Sequence, residues 1–314
     1  MGKALIGIDL GHASVKVAAV STGNKHRLIG CAMIPVDPGL LNKEGLKEPA
    51  LVADAITQAL QIATPKHLAK GPAVIALSES LLFRRIIDLP ASTPLNKETI
   101  KLQAAEFLPL PVDEMELDFL LLPQPEAAIV RQVIVVAAAS KAIAEYVQVM
   151  KLAGLQLQAI DAKPSCVGRA LDLPIAQPSL LIDIGSEQVT LSILKSGLVC
   201  VAAIINTGAN SLADAATGQP LTGDQAEAAN ARLASAIADE AGHVIKFFAS
   251  RESVSPGVVS AAVAGGGAEQ GPLLAALARE LSVKIIEVAA VVALPPSCDR
   301  RYLGAIGASL YPFK

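Results

Sequence analysis

The sequence predicts an α/β chain built as two similar lobes facing one another. Three observations carry that expectation. First, Ile8-Asp9-Leu10-Gly11, followed by Val15 and Gly23, recurs at constant separation as Ile182-Asp183-Ile184-Gly185, followed by Val189 and Gly197. Each copy reads as a strand, a tight Asp-x-Gly bend, a second strand, a Gly-containing turn and a third strand. Second, the apolar run Ala261-Ala262-Val263-Ala264 enters the triple glycine Gly265-Gly266-Gly267, and Pro272 then opens a helix. Third, at 314 residues the chain exceeds one average domain, which implies two core-bearing halves or a domain with an insertion.

In chain order, strands are expected at residues 5–10, 15–20 and 28–34, with Gly11 and Gly23 at the bends. Residues 35–49 read as a loop, and apolar periodicity predicts a helix over 51–62. Strands at 74–77 and 81–89 end at Pro90. Ser92-Thr93-Pro94 starts a helix over 95–108 that stops at Pro109 and Pro111. The acidic run 113–118 reads as a solvated loop face around the start of a strand at 117–122, and another strand follows at 132–139. A helix over 141–153 is closed by Gly154, then a strand at 155–160 leads to a short helix near 165–171. The pattern restarts with strands at 180–184, 189–194 and 199–205 and helices at 210–216 and 223–248. The last quarter holds a strand at 258–263, a helix at 272–281, another strand and a final helix near 303–310.

Composition excludes several function classes. The chain is 52% hydrophobic, yet its longest apolar runs, such as 133–139 and 288–294, fall far short of the roughly 20 residues that span a bilayer. Met1-Gly2-Lys3 leads directly into a strand-like run, so no secretory signal is expected, and Ile6 stands where a myristoylation signal needs Ser or Thr. Cys31, Cys166, Cys200 and Cys298 form no CxxC pair, which points to buried thiols in a reducing compartment. Net charge is −3, with no basic tract and no tryptophan, so nucleic acid is not an expected partner.

The paired hairpins read physically as a phosphate clamp. A glycine just after a strand lets backbone approach an anion, and successive N–H groups in the bend can point at phosphate oxygens. Asp9 and Asp183, one at each strand end, could hold Mg²⁺ directly or through water. The glycine run could lie flat against a base or ribose.

These motifs resemble those of the actin, Hsp70 and sugar-kinase superfamily. Residues 6–16 are similar to its first phosphate motif, 181–185 to its second, Gly265-Gly266-Gly267 to its adenosine motif, and Gly304-Ala305-Ile306-Gly307-Ala308 to its second connecting helix. Within it, Glu98-Thr99-Ile100-Lys101-Leu102-Gln103-Ala104-Ala105-Glu106-Phe107-Leu108-Pro109-Leu110-Pro111, the acidic link and strand that follow, and Ile160-Asp161 with Arg169-Ala170-Leu171 resemble the PilM family of type IV pilus assembly, a relative of FtsA.

The resemblance implies an actin-like (ribonuclease H-like) ATPase fold. Lobe I would span 1–178, with an inserted subdomain at about 75–160. Lobe II would span 179–300, and the C-terminal helix, 301–314, would return to lobe I. It further implies ATP and Mg²⁺ as cofactors. Asp9 and Asp183 would be metal-holding and catalytic, while Gly11, His12, Ala13, Ser14, Lys16, Gly185, Ser186, Glu227, Gly265, Gly266 and Gly267 would bind nucleotide. The implied partner is the cytoplasmic N-terminal peptide of a PilN-like inner-membrane protein, received by the inserted subdomain and its adjacent cleft. The protein would thus be a cytoplasmic scaffold, peripheral at the inner membrane through that partner, with possible self-association.

Three positions depart from the family pattern. Lys163 stands where an acid is expected to orient the attacking water, Asn230 replaces a nucleotide-contacting Lys, and His12 sits where Ser or Thr is usual. Loss of the acid predicts ATP binding with slow or absent hydrolysis. The alternatives are a small-molecule kinase of the same superfamily, an FtsA-like filament former, and a nucleotide-free scaffold. An FtsA-like chain would carry a C-terminal amphipathic helix, whereas this sequence reads Tyr311-Pro312-Phe313-Lys314 there.

Overall fold

A computed structural model of the protein describes residues 4–21, 26–42, 45–123, 129–173, 177–251 and 257–312. Gly23, expected at the second bend of the first unit, lies outside them. The first lobe is built on a sheet in the order β11-β7-β1-β2-β3-β6: Gln156–Ala162, Pro72–Leu77, Ile6–Gly11, Ser14–Ser21, Arg27–Pro35 and Thr64–Pro65. Strands β1, β7 and β11 are parallel, while β1–β2 and β2–β3 are antiparallel hairpins. A short ribbon, β4 (Leu41–Asn42) with β5 (Gly45–Leu46), breaks the loop expected at 35–49.

The second lobe repeats this order as β14-β13-β12-β15-β16: Leu198–Ile205, Val189–Lys195, Ser179–Ile184, Ser260–Ala264 and Lys284–Ile285. The central strands β1 and β12 are buried on both faces, hence their near-continuous apolar sequences instead of alternation. On the first sheet, α1 (Pro49–Ile62) and α3 (Ser140–Leu152) cover one face. On the second, α5 (Gly223–Arg251) and α6 (Gly271–Glu280) do the same. Between the sheets lie α4 (Lys163–Ala170) and α7 (Leu303–Ser309), packed on each other and sharing one apolar cluster with both lobes. A side chain at Gly307 would collide with the Cys166 carbonyl, so the two helices touch backbone to backbone.

Residues Phe83–Pro90 (β8), Lys97–Ala104 (α2), Met115–Leu121 (β9) and Val130–Ala139 (β10) form a separate unit, a β8-β10-β9 antiparallel sheet with α2 on one face. The insertion is narrower than residues 75–160, because β7, α3 and β11 belong to the first lobe's sheet and cover.

Two local expectations change. Residues 210–216 are not an α-helix: a 3₁₀ turn, Ala209–Leu212, gives way to a loop in which Asp214 Oδ1 accepts from the backbone N–H of Ala216 and Thr217 and from the Thr217 hydroxyl. A short polar side chain that captures local N–H groups outcompetes helix here. The acidic run becomes a 3₁₀ turn and then β9, with Met115 and Leu117 buried and Glu116 and Asp118 facing out.

Candidate functional site: a cleft closed over a lysine

A cleft of about 310 Å³ separates the lobes, and both Asp-Gly hairpins line it. In the first, Gly11 pairs with Ser14 across the His12-Ala13 turn, and Asp9 faces Lys16 across the strands. In the second, Asp183 holds the matching register opposite Thr190. Residues Gly11, His12, Ala13, Ser14, Lys16, Asp183, Gly185, Ser186, Gly265 and Gly266 all border the cleft. Asp9 lies beneath it, 1% exposed. Gly267 is buried against Ile184 instead, and Glu227 is exposed on α5 away from the cleft wall.

Between the two aspartates stands Lys163, the first residue of α4. Its Nζ lies 2.9 Å from Asp183 Oδ2 and 3.5 Å from Asp9 Oδ2. The Lys16 ammonium approaches Asp9 Oδ2 from the other side at 4.0 Å. Burial disfavours the charged form of Lys163, but Asp183 and Asp9 outweigh it and hold the ammonium above the usual lysine range. For Lys16 burial wins: its value falls below the ordinary one, with Asp9 opposing and Lys163 adding to the fall.

Every carboxylate bordering the cleft has a partner. Asp183 has Lys163. Glu79 is buried and takes a two-point contact from Arg84, whose Nε and Nη2 lie 3.0 and 3.2 Å from its oxygens. Glu187 accepts from Asn210 Nδ2 at 2.7 Å. Asp161, two residues before Lys163, is held by Arg169 at 2.6 Å and lines the neighbouring groove instead of the cleft, so it does not replace the missing acid. His12 Nδ1 lies 3.1 Å from the Leu41 carbonyl oxygen; with that nitrogen donating, Nε2 can donate to an anion only when the ring is cationic.

The cleft fits a nucleotide better than a divalent metal. Gly265 has φ +82°, and a Cβ there would meet the Ile184 carbonyl; Gly266 lies open beside Arg301. This bare backbone can admit a flat ring or a phosphate. By contrast, Lys163 already stands against Oδ2 of both aspartates, so a dication between them would have to displace it; the two buried Asp9 oxygens have no hydrogen-bond partner among the described residues and are met by charge alone. Among the described residues no cluster of three or more His, Cys, Asp or Glu side chains could hold a metal ion.

Several cleft residues escaped the sequence reading. Ser78 accepts from Gln188 Nε2 at 3.1 Å and so ties the end of β7 to the second hairpin. Arg301 is aimed by Asp299, with Nη2 2.6 Å from Oδ2. Polar Ser78-Glu79-Ser80 directly after an apolar strand, and basic Arg300-Arg301 just before the last helix, were the available signals.

A second concavity, a groove of about 570 Å³, separates the inserted sheet from the first lobe. Leu77, Leu82, Ile134, Val136, Ile143 and Leu157 make its apolar lining; Glu116 and Asp118 add acidic groups to it, and Arg84 and Asp161, the latter paired with Arg169, also line it. No helix among the described residues is long and apolar enough to cross a membrane.

Residues 7–232 match the family model for type IV pilus assembly protein PilM. Among solved structures, the chain is similar to one titled a PilM–PilN type IV pilus biogenesis complex, at 24% identity and a TM-score of 0.75, covering 98% of this chain and 97% of that one. The ethanolamine utilization protein EutJ of Carboxydothermus hydrogenoformans matches at 13% identity and a TM-score of 0.60, over 99% of this chain and 91% of its own. MreB5 of Spiroplasma citri, solved bound to ADP, matches at 13% and 0.50, over 98% and 95%. The chain therefore has the actin-like ATPase fold and belongs to the PilM family of type IV pilus assembly proteins.

Proposed function

We propose that this protein is a nucleotide-responsive docking scaffold. The interlobe cleft takes an adenine nucleotide. The groove beside the inserted sheet takes the cytoplasmic N-terminal peptide of a PilN-like inner-membrane protein, which holds the scaffold on the cytoplasmic side of that membrane. One observation carries the coupling: Asp161 and Ala162 line the groove, and Lys163, next in the chain, lines the cleft. A nucleotide that moves Lys163 pulls on the groove wall, and a peptide that orders the wall fixes Lys163. Such a switch works by differential affinity: the nucleotide must favour one arrangement of the lobes, and the same factor then appears in peptide affinity.

The groove suits a short extended segment with apolar and basic side chains, given its aliphatic lining and the acidic Glu116 and Asp118. Hydrolysis is slow or absent, since each carboxylate bordering the cleft is already paired and none is free to orient water.

The test is fluorescence anisotropy of a labelled peptide from the PilN-like partner, with and without saturating ATP. Wild-type protein binds the peptide, and ATP changes that affinity severalfold. Val136→Arg, which fills the groove, removes peptide binding and leaves ATP binding intact. Peptide affinity indifferent to both ATP and Val136→Arg would sink the reading.

A further inference from the structure

We propose that Lys163 is a tethered cation standing in for a divalent metal, so that the cleft binds the phosphate chain of its nucleotide without metal. This rests on the nucleotide reading above and specifies how the phosphate chain of that nucleotide is held.

The charges between the hairpins are already matched. Asp9 and Asp183 bring two negative charges, and Lys163 and Lys16 bring two positive ones within 4.0 Å of those carboxylates. Mg²⁺ demands near-octahedral oxygen ligands at about 2.0–2.1 Å and gives up its waters reluctantly. Here it would meet an ammonium seated on both carboxylates.

Lys163 performs what a bridging ion would. It joins an aspartate of one lobe to an aspartate of the other, and its side chain remains 23% exposed along the cleft. An ammonium has three donors. With one donor on Asp183 at 2.9 Å and Asp9 met at 3.5 Å, a donor is left for a phosphate oxygen, and Lys16 and Arg301 line the same cleft. The placement is built into the fold, because Ala162 ends β11 and Lys163 opens α4, the helix wedged between the lobes. Hence the cleft needs no metal to hold the phosphate chain, and the nucleotide binds whether or not it carries Mg²⁺.

The experiment is calorimetric titration of the full-length protein with ATP in EDTA and again in excess Mg²⁺, alongside electron paramagnetic resonance of Mn²⁺ binding without nucleotide. Wild-type protein is expected to bind ATP equally in both media, within about threefold, and to take up no Mn²⁺. Lys163→Met loses about tenfold or more in EDTA, recovers in Mg²⁺, and gains Mn²⁺ binding. Lys163→Arg, which keeps the charge, still binds in EDTA; circular dichroism shows that both variants are folded. Wild-type binding that appears only with Mg²⁺, or stoichiometric Mn²⁺ uptake by wild-type protein, overturns the proposal while leaving the nucleotide reading intact. No ATP binding in either medium overturns both.

Discussion

Gly304 stands directly against Asp9: a Cβ on Gly304 would lie 2.8 Å from Asp9 Oδ2. The last helix therefore has no side chain where it crosses the buried carboxylate. Gly304→Ala should push Asp9 toward Lys16 and Lys163, or push the helix off the sheet. Overpacking of this kind costs about 1–3 kcal/mol. Urea unfolding of the variant should report that loss, and ATP titration should weaken with it.

Arg84 is the partner of buried Glu79, and its Nη1 also reaches the Val199 carbonyl of the second lobe at 3.4 Å. Arg84→Met leaves a carboxylate buried and uncompensated, a change that costs about 3–5 kcal/mol. The double variant Glu79→Gln/Arg84→Met should recover a large part of it, a non-additivity that a double-mutant cycle in urea measures directly.

Asp9 gathers Lys163 and Lys16 beneath the cleft. In Asp9→Ala, Lys16 loses its counter-charge and Lys163 is held by Asp183 alone, so Lys16 leaves its place facing a phosphate and Lys163 no longer joins the two lobes. Calorimetry should show ATP affinity falling at least about tenfold, or about 1.4 kcal/mol. ATP at about a hundred times the wild-type Kd should stabilise wild-type protein by roughly 2.7 kcal/mol and the variant, at the same concentration, by about 1.4 kcal/mol or less.

Tyr302 gives the protein an alkaline limit. Burial first, then the neighbouring Cys31, Cys298 and Asp299, push its phenol up to about 12 from the ordinary value of 10.0. In that window the unfolded chain has released the proton and the native protein still holds it, so stability is fully present below pH 10 and falls as pH rises toward 12. Urea midpoints measured from pH 9 to 11 should decline, and Tyr302→Phe should decline less steeply.

The fold was legible where chemistry repeats locally. A buried strand ending in Asp-x-Gly occurs twice, and both copies are central strands with hairpin partners in matching register. The edges of elements were less legible. Helix α2 stops at Ala104, well before Pro109, because the Phe107 and Leu108 N–H groups both donate to the Ala104 carbonyl and turn the chain. Pro109 was a visible breaker; this turn has no comparable residue signature.

The cleft was legible as a set of backbone bends but not as a charge arrangement. Lys163 departed from the expected acid in sequence, yet its place between Asp9 and Asp183 depends on three segments brought together by helices α4 and α7. Likewise, nothing local to Ser78 announces Gln188, since only the closing of one lobe on the other makes them neighbours. Glu227, implied by the family resemblance, is exposed on α5 and is not among the residues lining the cleft.

The placement of Leu303–Ser309 has a consequence for how the protein is made. This helix packs on β1, β2 and β7, strands encoded in the first quarter of the chain, and its residues are buried throughout. A ribosome must therefore translate both lobes before the first sheet receives its cover. Until then an apolar face assembled early in synthesis stays open to water and to other nascent chains, a period in which chaperone occupancy guards against aggregation. Vectorial synthesis thus delays completion of the first lobe until the second has been made.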